Sequence, residues 1–332
     1  MTAPIGVLVM AYGTASGPED IERYYTDIRG GRTPSPEHLA ELRARYEAIG
    51  NVFPLLDTSR LQAEGLVARL TEAKVSEETP FRAFLGMKHS PPFIPDAVAQ
   101  MREEGVERAV GIVMAPHWSG MSVETYVERV RAAVTEQGGA PAFSFVREYG
   151  AHPSFVRFLT GRVTDALEDV PTTDRPTAQV LFTAHSLPTR VVEDGSLRCK
   201  TCTCDGSCRY RDGLQETADL VAEALGIESY GIAWQSAGRT SDPWWGPPVE
   251  ESILQAAAMG HPAVIVCSAG FVADHLETLY DLDIEAKAVA ERAGIRFART
   301  EMPNADPAFL DVLADVIHDH LTEVPAAEVS AP

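Results

Sequence analysis

Seven polar residues stand where apolar runs stop: Tyr12, Lys88, His89, His117, His185, Gln235 and Ser236. Imidazoles, a phenol and an amine can move protons, ligate a cation or hold an anion. In open α/β sheets ligands sit beyond the carboxyl ends of the strands, so this shared placement concentrates the chemistry at one edge. His185 is the clearest case. Residues 178–184 form a short apolar run, Pro188 stops it, and the histidine falls at its end. A second set is acidic: Glu277, Asp281 and Glu285 recur every four residues, which on a helix makes one stripe. Like charges at that spacing are mildly destabilising, and a run of carboxylates suits the path of a hydrated divalent cation. A third set is sulfur. Cys199, Cys202, Cys204 and Cys208 are four of the five cysteines and fall within ten residues. In a chain without an export signal this spacing points to a metal or cluster site more than to disulfides, with zinc and iron–sulfur both open. Cys267, at a strand end, reads as a packed apolar thiol.

The elements that must carry these groups alternate along the chain. Strands are expected at 5–10, 81–85, 109–114, 143–146, 178–184, 229–235 and 263–268. Helices are expected from Pro18 and from Pro36, then at 59–73, 94–104, 123–136, 213–225, 249–259, 274–293 and 307–321. This pattern predicts an α/β protein of two similar Rossmann-like domains, each a parallel sheet flanked by helices, with an interdomain cleft. The expected domains are 1–155 and 156–306, the second carrying a Cys-rich insertion at 196–212. Helix 307–321 is expected to pack back on the first domain. The stretches VLVMAYGT (7–14) and VLFTAHSL (180–187) align without gaps and set Tyr12 against His185, in agreement with two similar halves.

A length of 332 residues suits two domains. The net charge of −20 argues against nucleic acid and anionic membranes as partners, because both demand basic surface. No apolar run reaches the roughly 18–20 residues of a membrane span, and the N-terminus lacks a signal pattern, so the cytoplasm is expected. The chain has no GxGxxG, no GxxxxGK[ST] and no GxSxG, and zinc-type HxxxH spacing is missing around the candidate histidines.

As a set, these motifs resemble one family. LVMAYGT (8–14), DIERYYTDIRGGR (20–32), RYEAIG (45–50), GMKH (86–89), APHWS (115–119), TAHSLP (183–188), WQSAGRTSDPWWGP (234–247), GFVADHLETLYDLD (270–283) and EMPNA (301–305) are similar to the ferrochelatases. The likeness is strongest to the short, soluble bacterial type assigned to coproporphyrin III, and it spans about residues 4–320. It implies a lyase that inserts Fe²⁺ into coproporphyrin III to give coproheme, with protoporphyrin IX as the second candidate substrate. The rival from another class is a non-catalytic tetrapyrrole or iron carrier with an Fe–S sensor, which would need neither proton acceptor.

The resemblance also implies roles. His185 and Glu277 face each other on one side of the ring, and Tyr12 on the other side ligates iron. Insertion must strip water from Fe²⁺ and remove two pyrrole protons; a neutral imidazole and a carboxylate can serve both needs. Asp281 and Glu285, with Arg45 nearby, match a peripheral metal site. Trp118, Trp234 and Met10 or Ile28 would clamp a puckered ring, binding it more tightly than the flat one. Arg29, Arg32, Arg45 and Lys88, with Ser122 and Tyr126, would meet the propionates, and His89 is a looser candidate for the metal path. Some members hold a [2Fe–2S] cluster, here implied on Cys199, Cys202, Cys204 and Cys208 with zinc as the alternative occupant. Because Cys199 falls fourteen residues beyond His185, that centre is expected outside the cleft, affecting chemistry only secondarily. The family turn Gly-Gly-x-Ser-Pro-Leu is GNVFPL (50–55) here, so a serine hydroxyl for one propionate is missing. The expected working form is a monomer with transient contacts to other enzymes of its pathway.

Overall fold

Ile5–Ala11 (β1) is apolar along its length and buried at every residue, as a strand covered on both faces must be. A computed structural model describes residues 3–73, 75, 79–193, 195–201, 208–238 and 240–323. In it β1 pairs in parallel with Phe81–Met87 (β2) on one side and Arg108–Val113 (β3) on the other, and Ala142–Val146 (β4) adds to β3. The later strands are Gln179–His185 (β5), Thr189–Val191 (β6), Leu197–Cys199 (β7), Tyr230–Gln235 (β8), Ala263–Cys267 (β9) and Arg296–Arg299 (β10). Four of them form a second parallel sheet in the order β10-β9-β5-β8, while β6 and β7 make a small antiparallel hairpin.

Counted from the first strand of each sheet, both orders are 2-1-3-4. β1 and β5 therefore hold equivalent positions, each beside the point where the winding reverses and a crevice opens at the carboxyl ends. The aligned stretches 7–14 and 180–187 lie on these two strands, so Tyr12 and His185 leave the two sheets at matching places.

The helices are Ile21–Ile28 (α1), Pro36–Ala48 (α2), Leu55–Glu72 (α3), Ile94–Glu103 (α4), Val123–Glu136 (α5), Pro153–Glu168 (α6), Arg209–Leu225 (α7), Val249–Ala258 (α8), Leu276–Leu279 (α9), Lys287–Ala293 (α10) and Pro307–Glu323 (α11). The single helix expected over 274–293 is broken. Between α9 and α10 the chain forms a π-helical turn, Asp281–Ala286, marked by the Glu285 N–H bonding five residues back to the Tyr280 carbonyl at 3.0 Å. Such turns are rare and concentrate at functional sites. β10, of sequence RFAR, and the β6–β7 hairpin were not expected: each is too short and too charged to show strand alternation. Helix α7 starts four residues before its expected position, directly after Cys208.

One continuous core joins residues of both sheets, among them Val7, Val9, Val110, Phe182 and Cys267, to Phe309, Leu313 and Ile317 of α11. That helix lies against α3 and α6. Truncating a fully buried leucine such as Leu313 costs about 2–5 kcal/mol, so α11 is integral to the fold. Among the described residues, no helix is long and apolar enough to cross a membrane.

Candidate active site

Strand β5 delivers His185 at its last residue, and the loop after β9 returns over it. Gly270 permits the crossing, because a Cβ there would stand 2.4 Å from the Ala184 Cβ. The loop then enters α9 with His275 in an extended conformation as its N-cap and Glu277 in its first turn. Glu277 Oε1 lies 3.6 Å from His185 Nε2, and its Oε2 lies 3.7 Å from His275 Nε2. The carboxylate thus sits between two imidazoles. The side chains of His185 and Glu277 are 34% and 32% exposed, open enough for a substrate to reach. His185 Nδ1 faces the Ser186 carbonyl, which makes it the donor nitrogen and turns Nε2 toward Glu277.

Burial disfavours charge on His185, but Glu277 opposite outweighs it and the imidazole is pushed up to about 9. Burial alone would raise Glu277 too, yet His185, with His275, holds it well below the usual carboxylate range. At neutral pH the pair is therefore an imidazolium facing a carboxylate. The neutral imidazole that proton acceptance needs is therefore conditional: His185 becomes a base only when the charge of Glu277 is drawn elsewhere. Gln235, expected only as a strand-end residue, ties the site together. Its Nε2 donates to the Glu277 carbonyl at 3.2 Å and its Oε1 accepts from Thr183 Oγ1 at 2.8 Å.

The first sheet faces this pair with Tyr12, 43% exposed just beyond β1. Gly13, at φ +104°, turns the chain there, and a Cβ on it would meet Ser90 Oγ at 2.7 Å. Burial, and then the negative charge of Glu277, raises the Tyr12 phenol above its ordinary range, so it stays protonated and feels the pair. Its ring lies 4.6 Å from that of His89. His89 is buried with Nδ1 2.6 Å from Asp27 Oδ1, which takes it out of any open metal path. Lys88 Nζ donates to Thr125 Oγ1 at 2.6 Å and lies 5.0 Å above the ring of the buried Tyr126. Burial, then the charge of Arg129, pushes this lysine down to about 8. Ser122 is half-buried just before α5, its carbonyl accepting from Thr125 Oγ1 at 2.7 Å.

Arg29 and Arg32 follow α1. The guanidinium of Arg29 lies 5.7 Å from the Tyr25 ring, its Nε buried without a partner among the described residues. Arg32 is exposed and donates through Nε to the Arg29 carbonyl at 3.1 Å. Trp118, half-buried, donates to Glu124 Oε2 at 3.4 Å, and the Arg209 guanidinium stacks 4.9 Å from its ring. Ile28, directly before Arg29, is half-buried.

Several expected contacts are overturned. Trp234 is 2% exposed, packed between the rings of Tyr210 at 5.5 Å and Trp245 at 5.9 Å, and Met10 is fully buried in β1. Neither can lie on a substrate ring. Arg45 is committed to Asp281 and covers the Tyr280 ring at 4.5 Å, which takes it from the propionate set. Asp281 is 3% exposed, bonded to Arg45 through one oxygen and to Ser236 Oγ through the other, so the acidic stripe is closed at its middle. Glu285 is exposed on the π-turn. Among the described residues no group of three His, Cys, Asp or Glu side chains could hold a metal. His117 is buried, donates to or accepts from Thr217 Oγ1 at 2.9 Å, and is pushed down to about 4 by burial; it joins the end of β3 to α7. In the altered turn at 50–55, Phe53 stacks on Tyr46 at 4.6 Å.

Asp281 allows a direct test. Burial raises its carboxyl to about 6 against the pull of Arg45. Between its unfolded value of about 3.9 and that value the folded chain binds more protons, so its contribution to stability falls as pH rises. The stability of wild type relative to Asp281→Asn should therefore decline from pH 4.5 to 7.5 in urea unfolding. A constant difference would show that the carboxyl is not raised.

Two cysteines of the segment, Cys199 and Cys208, fall among the described residues. Cys199 ends β7 and Cys208 caps α7, with their sulfurs 3.1 Å apart, a contact and no disulfide. The Trp245 indole donates to Cys199 Sγ at 3.3 Å. A hydrogen bond from Cys199, aided by backbone N–H groups, outweighs burial and pushes Cys208 down to about 5. Cys202 and Cys204 lie outside the described residues. Cys267 is fully buried and its thiol is pushed up to about 12, as a packed cysteine should be.

The architecture is thus two parallel sheets of one strand order, with a charged pair beyond the carboxyl end of β5. Among solved structures, SirB from Bacillus subtilis with Fe³⁺ superposes with a TM-score of 0.57 over 96% of this chain and 95% of its own, at 9% identity. The sirohydrochlorin chelatase SirB from Bacillus subtilis subspecies spizizenii in complex with cobalt gives 0.52 over 96% and 98%, also at 9% identity. These are likenesses of fold. The family model for ferrochelatase matches residues 4–321. The coproporphyrin III ferrochelatase of Anoxybacillus flavithermus is 45% identical over 96% of both chains, and that of Bacillus subtilis 43% identical over 94% of this chain and 96% of its own. The chain belongs to the ferrochelatase family, and is a metal chelatase of the lyase class.

Proposed function

We propose that this protein inserts Fe²⁺ into coproporphyrin III, giving coproheme and two protons. The carrying observation is the His185–Glu277 pair, ionised at rest and a third exposed at the carboxyl end of β5. Fe²⁺ arrives as substrate at the Glu277 carboxylate, a hard anionic ligand. Its charge cancels the field that keeps His185 protonated, so the imidazolium gives its proton to water. The neutral ring then accepts one pyrrole proton, and the carboxylate, freed as iron passes to the porphyrin, accepts the second. Tyr12, still carrying its proton, meets the opposite face and can ligate iron there. Glu285, exposed on the π-turn, offers the incoming cation its first carboxylate.

Lys88, Arg29 and Arg32 supply charge-assisted hydrogen bonds to propionates, with Ser122 and the Tyr126 hydroxyl beside Lys88. Trp118, backed by Arg209, gives a flat apolar face for the ring. The relatives at 45% and 43% identity carry the name coproporphyrin III ferrochelatase, which supports this substrate. Anaerobic insertion with both porphyrins in parallel tests it. Coproporphyrin III should exceed protoporphyrin IX in kcat/KM by about tenfold or more, the worth of one charge-assisted hydrogen bond of roughly 1.5 kcal/mol. Equal or reversed values would remove the substrate and leave the chelatase.

We further propose that Cys199, Cys202, Cys204 and Cys208 hold a [2Fe–2S] cluster, which when bound supplies a one-electron centre. The two described thiols fit it: they are buried, unbridged, and one is poised as a thiolate. The indole N–H on Cys199 Sγ is the outer contact such sulfurs use. A thiolate site of this kind needs a reducing compartment, which supports the cytoplasm.

A further inference from the structure

The residues that leave β5 are held, one after another, from the cysteine segment and the turn packed on it. The Tyr210 phenol donates to the His185 carbonyl at 2.9 Å. Ser186 Oγ donates to the Trp245 carbonyl at 2.8 Å, and the Trp245 N–H donates to the Leu187 carbonyl at 3.1 Å. The Lys200 N–H donates to the Pro188 carbonyl at 2.8 Å, and Thr189 pairs with Cys199 across the β6–β7 hairpin. The other ends of these holders lie at sulfur. Trp245 reaches Cys199 through its indole, Lys200 follows Cys199 in the chain, and Tyr210 stands two residues past Cys208. Tyr210 and Trp245 are also joined sideways, since both rings pack on the buried Trp234.

We propose that Tyr210 is a positioning residue for His185, and that with Trp245 it transmits occupancy of the cysteine site to the chelation pair. The proposal rests on the readings of His185 as the working imidazole and of the cysteines as ligands. The Tyr210 bond goes to the His185 backbone and leaves the ring untouched. It fixes where β5 ends, and through that the 3.6 Å between Nε2 and Glu277. Placement errors of about 1 Å at a reacting group are enough to cost large factors in rate. Ligands gathered on one centre fix the end of β7 and the start of α7 together, the two places from which the holders depart. Packed aromatic contacts carry such a displacement because interiors are close-packed and yield little.

The experiment uses the full chain, purified without oxygen, as wild type and Tyr210→Phe, which removes one hydroxyl. Elemental analysis, visible absorption and EPR of the reduced protein report which metal the cysteines hold. Histidine-labelled ¹H–¹⁵N spectra report the His185 ring, and kinetics separate kcat from KM. Tyr210→Phe should keep its metal, lose about tenfold in kcat with KM for both substrates little changed, and move the His185 signals. Removing the cysteine-site metal with a chelator should move the same signals in wild type and not move them further in Tyr210→Phe. Unaltered kcat and His185 signals in Tyr210→Phe overturn the positioning role. His185 signals unmoved by metal removal in wild type overturn the transmission. Protein isolated with no metal on its cysteines refutes the ligand reading and the transmission with it, while the Tyr210→Phe comparison still decides the positioning. Should Tyr210→Phe fail to fold, Trp245→Phe removes the indole donor alone, and on metal removal its His185 signals should move less than those of wild type; an equal movement counts against the proposal.

Discussion

His185→Ala is expected to abolish metal insertion while leaving porphyrin binding in place. A positioned proton acceptor contributes typically 10²–10⁴-fold, so a loss of at least about 100-fold in kcat should follow. The other imidazoles named at the site are engaged differently. His89 is tied to Asp27, His117 is buried against Thr217, and His275 faces the far oxygen of Glu277. Binding should survive because its groups lie elsewhere: Lys88 stands beyond β2, Arg29 after α1, and Trp118 beyond β3. Stopped-flow insertion with a parallel fluorescence titration of porphyrin separates the two properties. Turnover within a few-fold of wild type would remove His185 from the mechanism, and lost porphyrin binding would show that it holds the ring instead.

Glu277→Gln should have the second largest effect, about two orders of magnitude in kcat, because it removes both the ligand for Fe²⁺ and an acceptor for a pyrrole proton. It carries a signature that other losses of activity lack. With the carboxylate gone, burial acts on His185 with little opposition, and its pKa should fall from about 9 to below its ordinary value of about 6.5. Stability should follow with a defined sign. His185 is raised in the folded state, so between about pH 6.5 and 9 the native chain binds the extra proton and loses stability as pH rises. The contribution is full below that window. Both side chains are about a third exposed, and solvent screening keeps its size modest. The stability gap between wild type and Glu277→Gln should narrow from pH 6.5 to 9.5. Parallel pH curves, or a His185 that still titrates near 9 in the variant, would break the assigned coupling.

Both members of this pair were legible in the sequence. His185 showed itself because β5 is a short apolar run with a proline stop, and Glu277 because it opens an acidic stripe after an apolar strand. The parallel sheets were legible for the same reason: period and punctuation are local properties. What was missed depends on partners far along the chain. Arg45 and Asp281 are 236 positions apart, and nothing local to either discloses that each neutralises the other. Trp234 was given to the ring clamp through its motif, whereas Trp245 and Tyr210, from two other segments, bury it. The π-turn was hidden because DLDIEA fits an ordinary helix as well, and only tertiary packing selects the wider winding. His275 was passed over because residues two apart diverge on a helix; here its extended backbone lets it reach the carboxylate beside it.

The equal strand order of the two sheets has a further consequence. One structural address, the position just past the first strand, is used twice, once by Tyr12 and once by His185. Had both copies kept the same side chain, the space between them would look alike from either side. The phenol stays neutral, while the imidazolium stands against a carboxylate that binds its proton weakly. The two sides of the space are therefore unlike, with an anionic oxygen ligand on the Glu277 side and a neutral phenol on the Tyr12 side. A duplicated scaffold with unlike terminal residues thus gives one cleft two chemically distinct walls, set by three side chains.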